Sequence, residues 1–385
     1  MRAEESPIRP RSCLALVAAA LLATGGCARP PRSNTPPAPA PEPPPFKIGV
    51  MTGTAAQGAE EFHAGAEIER RYPKRVMHVT FPDRFPAESV TVVAQLTGLA
   101  SDPRVRVILV GQAVPGSAAA ARAIRASRSD VLVGLVSPHE DPDSVTRACD
   151  LAIETDVVAR AADIVAAARR MGARTLVHYS FARHMAQRPL ARQRDAMRSA
   201  CGKRDLRFVA LAAPDPTESG GPAAARGFIL ADVPRQLDTL GATTAFYATD
   251  DAMQEPLIQA ILAAGQGYLI EQARPSPTSG YPEALGLRIP DEKAESTAFV
   301  SAAIESLIAA KGMRGHFGTW AASADAVALR AMANLLVDAT DGKAAVGDSA
   351  TVLRYLEAEA HGRVTIRRDD RTGSHWFVTL ERVTY

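Results

Sequence analysis

From Phe46 onward the chain repeats one pattern: a short, nearly continuous apolar run, then a longer amphipathic segment. Runs that are apolar on almost every residue mark strands buried on both faces, and helix-covered parallel sheets are where such strands occur. The runs are FKIGVM (46–51), VMHVTF (76–81), VRVILVG (105–111), VLVGLV (131–136) and CDLAIE (149–154). Helical segments over 58–72, 86–101 and 117–127 separate the first four. Strands joined by helical crossovers fold into one sheet with helices on both faces, so the sequence predicts a doubly wound α/β sheet.

The rhythm then restarts, with a join near 155. Asp156 can cap a helix whose apolar positions are Val157, Ala161, Ile164, Val165 and Ala168, and Gly172 can end it. Strands are expected at 175–180, 207–213 and 243–250, with a basic helix over 188–204. Helical sequence fills 222–240 and 252–264. Pro234 is expected to break the first of these, with Asp232 capping the second piece. Residues 282–289 are expected to return the chain to the first unit, followed by helices over 291–311, 321–340 and 349–360. The end changes period. Residues 363–368 and 374–381 alternate apolar and polar side chains around Asp369, Asp370 and Gly373, the pattern of a β-hairpin. The expected body is two Rossmann-like lobes with parallel sheets, 46–155 and 156–281, with 282–385 returning to the first lobe and ending in the hairpin.

Ahead of the body, residues 1–12 carry Arg2, Arg9 and Arg11, and an apolar run over 13–24 follows. That run is shorter than the ~20 residues that span a bilayer and fits the core of a signal peptide. Leu22-Ala-Thr-Gly-Gly-Cys27 resembles a bacterial lipobox, with Thr24 where leucine is usual. Residues 1–26 are therefore expected to be cleaved, and Cys27 to be lipidated and to form the protein's sole membrane attachment. Nine of the 18 residues over 28–45 are proline. Such a segment is a semi-rigid polyproline II spacer, reaching roughly 55 Å at about 3.1 Å per residue. The expected location is the periplasmic side of the cell envelope. Ala28 after the cysteine would permit sorting to the outer membrane.

Charge adds a limit. Lysine and arginine total 44 against 42 acidic residues, so no global field draws the chain to nucleic acid. Of the four cysteines, Cys13 leaves with the signal peptide, and Cys149 and Cys201 read as two separate buried thiols.

Ligands of open parallel α/β sheets bind beyond the carboxyl ends of the strands. In the first unit those ends carry Thr52, Gly53, Thr54, Asp83, Gln112, Pro115, His139 and Glu140. In the second they carry Tyr179, Ser180, Arg183, His184, Asp215, Asp250, Gln254 and Glu255. The mixture of carboxylates, amides, hydroxyls, one arginine and nearby aromatic rings suits a small polar organic ligand. Thr54, Gln112 and Glu140 are expected to face Tyr179, Arg183 and Asp250 across one gap. Each aspartate can also be a cap or turn former.

Enzyme signatures are poor. The glycines at 49, 53 and 58 have the wrong spacing for a dinucleotide fingerprint, and no Walker A, GxSxG or HExxH motif occurs. His139, Glu140, His178 and His184 lie near strand ends, but no pair has the i,i+4 spacing that presets zinc ligands on a helix. No catalytic residue, metal or cofactor is expected.

The stretches KIGVMTGT (47–54), HVTFPDRF (78–85), GQAVPG (111–116), PHEDPD (138–143), MGARTLVHYSFARHM (171–185), APDPT (213–217), ILADVPRQ (229–236) and DDAMQEPLI (250–258) resemble an uncharacterised family of bacterial lipoproteins with the type 1 periplasmic-binding-protein fold. The resemblance covers roughly 46–320. It implies two lobes joined by three crossovers, with the ligand in the cleft between them. The terminal hairpin is similar to the one ending the amino-acid-binding branch of that fold. Two functions compete. One is a monomeric solute-binding protein serving an ABC-type permease or a membrane sensor. The other is an exported hydrolase-like α/β enzyme using the same cleft. The missing nucleophile motif and the two-unit layout favour the first.

Overall fold

The computed structural model describes residues 45–385, apart from 219, 271–275, 279, 291–292, 294–295, 361 and 370–372. The expected signal segment, Cys27 and the tether as far as Pro44 lie outside the described residues.

The first run of elements is β1 (Lys47–Thr52), α1 (Ala55–Arg71), β2 (Val76–Thr80), α2 (Ser89–Ala100), β3 (Val105–Val110), α3 (Ser117–Ser127), β4 (Leu132–Val136), α4 (Pro142–Ala148) and β5 (Leu151–Thr155). The second is α5 (Arg160–Met171), β6 (Thr175–Ser180), α6 (Ala182–Ala186), α7 (Arg188–Gly202), β7 (Arg207–Ala212), α8 (Gly221–Leu240), β8 (Thr244–Ala248), α9 (Gln254–Ala264), β9 (Tyr268–Ile270), α10 (Tyr281–Leu285), α11 (Thr297–Ala310) and β10 (Phe317–Trp320). The chain closes with α12 (Ala324–Thr340), α13 (Ser349–Ala360), β11 (Val364–Arg368), β12 (His375–Leu380) and β13 (Arg382–Thr384).

Two sheets result. The first has the order β11-β12-β5-β4-β3-β1-β2 and the second β13-β10-β9-β8-β6-β7. All pairs are parallel except β11 with β12 and β13 with β10. The alternation of side chains feeds a core on each face. In the first lobe Ile48 and Val50 pack under α12, while Met51 and Ile108 pack on the opposite face. In the second, Val177 and Tyr179 pack on the α8, α9 and α11 side, while Leu176 and Tyr247 pack on the α5 and α7 side. Fully burying one such aliphatic side chain is worth about 1.5–3 kcal/mol, so each sheet has strong reason to be covered twice. A Cβ on Gly134 would overlap Met332, so glycine there lets α12 lie directly on β4.

The two strands of the expected terminal hairpin pair antiparallel, with Val364 opposite Leu380, and β12 extends the first sheet parallel to β5. Asp156 caps the turn that opens α5 by accepting from the Ala159 N–H at 2.9 Å. Gly172 ends α5 at φ +107°, where a side chain would also meet the Tyr268 hydroxyl. Cys149 and Cys201 are buried and unpaired.

Three expectations are corrected. Residues 282–289 do not return the chain to the first lobe: α10 and α11 pack in the second lobe's core, and β10 pairs with β9. The return comes after Trp320, and β13 then goes back to the second sheet. Pro234 does not break its helix, because α8 runs through it. The Leu230 carbonyl that loses its N–H partner sits at an exposed residue, where water can satisfy it. Asp232 is therefore no cap; its carboxylate is buried and takes the Tyr179 hydroxyl at 2.8 Å.

Candidate functional site

The crossovers between the lobes follow β5, β10 and β12. Those strands lie toward one side of their sheets, which leaves β2 and β7 as the far edges. The strand carboxyl ends near the crossovers converge on a chamber of about 80 Å³. It is built from the start of α1, Gln112 after β3, Thr155 ending β5, Asp251 after β8, and Ser323 and Asp325 opening α12. Ala59, Glu60 and Ser323 also line a second cavity of about 510 Å³. That outer vestibule lies between α1 and α12 on one side and Ser276, Thr278 and residues 282–289 with the start of α11 on the other. Glu60 accepts a hydrogen bond from Thr278 at 2.6 Å, tying the two lobes across it.

Local geometry turns these groups inward. Gly58 interrupts α1 with an extended backbone, so the continuous helix begins after it and Glu60 and Glu61 occupy its first turn. Gln112 and Ser137 both hold positive φ, +52° and +44°, at the ends of adjacent strands. Non-glycine residues adopt that region at a cost of the order of 1–3 kcal/mol, and such strain gathers at functional sites. Gln112 donates weakly to Glu61 at 3.5 Å, and Ser137 donates to Asp325 at 2.6 Å. Thr155 is 8% exposed, and its hydroxyl makes no hydrogen bond to the protein.

Of the residues expected from sequence, Gln112 lines the chamber. The others have different employment. The Thr52 hydroxyl is buried, donating to the Gly53 carbonyl and meeting His78 at 2.8 Å. A Cβ at Gly53 would crowd Gln57 and Phe81. The Thr54 N–H donates to the Gln57 side chain, which reaches back to cap α1. Asp83 is exposed, Pro115 is half-buried, and His139 lies against Phe85. Glu140 accepts from the Ala118 N–H at 2.8 Å and so caps α3.

Tyr179 points away from the gap, fully buried among Phe246 and Phe228 with its hydroxyl on Asp232. The expected opposition of Thr54, Gln112 and Glu140 to Tyr179, Arg183 and Asp250 is thus not what the fold builds. Arg183 makes a two-pronged pair with Asp215, both contacts at 2.9 Å, within the second lobe. This pair holds the Asp215 carboxyl well below the usual carboxylate range. Ser180, Thr249 and His184 form a hydrogen-bonded row, with Asp250 at 3.7 Å from His184. Burial pushes the His184 pKa down, and Asp250 partly offsets this. Asp250 also caps the turn over Asp251–Met253. Gln254 is buried, and Glu255 pairs with Arg226 on the helix surface.

Polar chamber residues outside the expected ligand set are Gln57, Glu60, Glu61, Thr155, Asp251, Ser323 and Asp325; of these, Asp251 is the neighbour of the expected Asp250 at the end of β8. Ser323 and Asp325 follow β10, a four-residue strand too short to announce itself. Among the described residues no group of three or more histidine, cysteine, aspartate or glutamate side chains could hold a metal ion. No described helix is long and apolar enough to cross a membrane.

A family model described as "Protein of unknown function (DUF3798)" matches residues 46–318. An uncharacterized protein of Treponema pallidum (strain Nichols) is 34% identical over 178 residues, covering 44% of this chain and 80% of that relative. A putative transcriptional regulator from Clostridium difficile 630 superposes with a TM-score of 0.78 at 19% identity, covering 89% of this chain and 99% of that one. A sugar ABC transporter from Actinomyces odontolyticus ATCC 17982 superposes at 0.57 and 12% identity, over 88% and 95% of the two chains. At these identities the likeness shows a shared fold, the two-lobed arrangement of type 1 periplasmic binding proteins.

Proposed function

The chain belongs to the DUF3798 family, and we propose that it is a lipid-anchored, extracytoplasmic solute-binding protein that closes two lobes over a small polar ligand. One observation carries this reading. A chamber and its vestibule are lined from both lobes, with Glu60, Gln112 and Ser323 on one side of the gap and Asp251, Ser276 and Thr278 on the other. A ligand touching both lobes favours the closed form by that differential contact. The fold shared with a sugar ABC transporter component supports the same reading. On this proposal Cys27 carries the lipid, the proline-rich segment spaces a monomeric body from the membrane, and the loaded protein serves a permease or a sensor.

The exported-enzyme alternative needs an activated nucleophile or base at the chamber. Arg183, His184, Asp215 and Asp250, the groups best suited to such chemistry, are engaged with one another or with Thr249 in the second lobe. The test is mass spectrometry of small molecules released when the purified full chain is denatured. One compound recovered in near-stoichiometric amount, which raises the melting temperature when added back, supports binding. At about 100 times its dissociation constant it adds roughly 2.7 kcal/mol of stability. Conversion of an added compound to product, abolished by a change at the chamber, would instead establish the enzyme.

A further inference from the structure

The rims where the two sheets begin, at the strand ends opposite the cleft, are charged differently. In the second lobe β6 to β10 run parallel, so they all start at one end. Their leading loops are stitched edge to edge. The Arg207 N–H donates to the Arg174 carbonyl, the Arg174 N–H to Thr243, and the Gly267 N–H to Ala242. The His316 ring nitrogen lies 2.7 Å from the Gly267 carbonyl, and the ring stacks on Tyr268 at 4.7 Å. Arg169 and Arg170 reach this rim in the last turn of α5, and Arg174 just ahead of β6. Lys203, Arg204 and Arg207 lead into β7, and Lys311 follows α11. Among the described residues none of these seven charged ends has a hydrogen bond or an ion pair. Arg314, an eighth, pairs with Glu305. The acids on the same rim are Asp205, Asp238 and the carboxyl of the terminal Tyr385, whose carbonyl takes the Gly315 N–H.

The first lobe treats the same rim in the opposite way. Lys47 and Arg104 pair with Asp102, Arg106 and Arg128 with Asp130, and Arg125 with Asp150. Helices end at both rims, so the attraction of cations to helix carboxyl ends is common to both and does not explain the surplus in the second. Uncompensated like charges repel one another and destabilise the compact state, which a partner of opposite charge relieves. The whole-chain balance of 44 basic against 42 acidic residues hides this local excess. The partner is read by charge alone, since none of the exposed large apolar side chains, Val90, Leu230 and Phe299, lies on the rim. Protein interfaces usually have an apolar centre, whereas anionic headgroups attract a group of basic side chains without one. The expected spacer, roughly 55 Å at about 3.1 Å per residue, exceeds the ~50 Å diameter of a compact chain of this size, so a lipid at Cys27 leaves any face of the body able to reach the bilayer.

We propose that the outer rim of the second lobe docks on an anionic phospholipid bilayer, held by charge and without insertion. This contact adds to the lipid expected at Cys27, and it does not depend on what the cleft binds. The chamber lies at the other end of the same strands, so a docked rim leaves the ligand site on the side away from the bilayer.

The experiment is vesicle co-sedimentation with residues 28–385, which keep every described residue and leave out the apolar leader and Cys27. The vesicles are equal parts phosphatidylglycerol and phosphatidylcholine, or phosphatidylcholine alone. The protein should sediment with the anionic vesicles and not with the neutral ones. Salt at about 1 M, where the Debye length is ~3 Å, should release it. At about five-fold per cation, Arg170→Gln, Lys203→Gln and Arg207→Gln together should weaken binding about 100-fold, with an unchanged melt. Lys74→Gln, Arg354→Gln and Arg363→Gln remove as much charge from exposed sites elsewhere and should leave binding nearly intact. Equal sedimentation with both vesicle types, or with neither, overturns the proposal. So does equal loss in the two triple variants, which would mean that total charge and not the rim is felt. Polyglutamate or duplex DNA that strips the protein from the vesicles at equal concentration of negative charge would also overturn it, assigning the rim to an acidic protein or a nucleic acid. None of these outcomes bears on solute binding, which the molecule released on denaturation decides.

Discussion

Replacing Tyr179 by phenylalanine separates a core role from a ligand-binding role. Its ring is fully buried, stacked on Phe246 at 6.2 Å between centroids and edge-on to Phe228 at 6.1 Å. Phenylalanine keeps that packing. What is lost is one O–H donated at 2.8 Å to the buried Asp232 carboxylate. A hydrogen bond to a charged group is worth about 1.5–3 kcal/mol. Asp232 keeps Arg235 and Gln236 as donors, so the loss should fall in the lower half of that range. A unit of 150–250 residues shifts by about 2–4 °C per kcal/mol, so the second lobe should melt roughly 3–9 °C lower. Differential scanning calorimetry measures this, and Asp232→Asn with the double variant gives the coupling between the two residues. Affinity for ligand should not change. A normal melt with weakened binding would refute the placement of Tyr179 in the core and return it to the cleft.

Other consequences are as direct. Burial lowers the His178 pKa to about 4, whereas the unfolded chain protonates near 6.5. The unfolded state therefore takes up a proton first as pH falls, and about 3 kcal/mol of stability, complete above pH 6.5, drains away between 6.5 and 4. His178→Phe, filling the slot between Tyr247 and Phe208, should flatten that limb of a stability–pH curve. Burial pushes the thiols of Cys149 and Cys201 up to about 12 and about 11, so alkylation mapped by mass spectrometry should reach them only on unfolding. Cys27→Ala should move the protein from the membrane fraction to the soluble periplasmic fraction. Identical fractionation of variant and wild type, with an unlipidated mass, would remove the anchor from the account.

The sequence made most of the fold legible because long apolar runs such as VRVILVG and VLVGLV cannot be anything but buried strands in so regular an alternation. Short strands escaped. Tyr268–Ile270 and Phe317–Trp320 carry too few residues to establish a period, and their pairing depends on neighbours far away in sequence. Missing them misplaced the return to the first lobe and hid Ser323 and Asp325. The site was less legible for a physical reason. Polar residues at strand ends serve two masters, and Glu140, Asp250 and Thr54 went to caps while Arg183 went to Asp215. Glu60 and Glu61 sit in the first turn after Gly58, where the apolar pattern also starts the helix, but that pattern does not say that this turn borders the gap between the lobes.

Closure is the central claim, and a distance across the cleft tests it. Val90 in α2, by β2, and Glu218 beyond β7 are exposed near the far edges of the two sheets. Spin labels on Val90→Cys and Glu218→Cys can be read by pulsed dipolar spectroscopy, with Cys149 and Cys201 buried out of reach. Adding back the compound released from the denatured protein should shorten and narrow the distance distribution, and Gln112→Ala, at the chamber wall, should shift the response to higher concentration. A distribution unchanged at saturating compound would contradict the account.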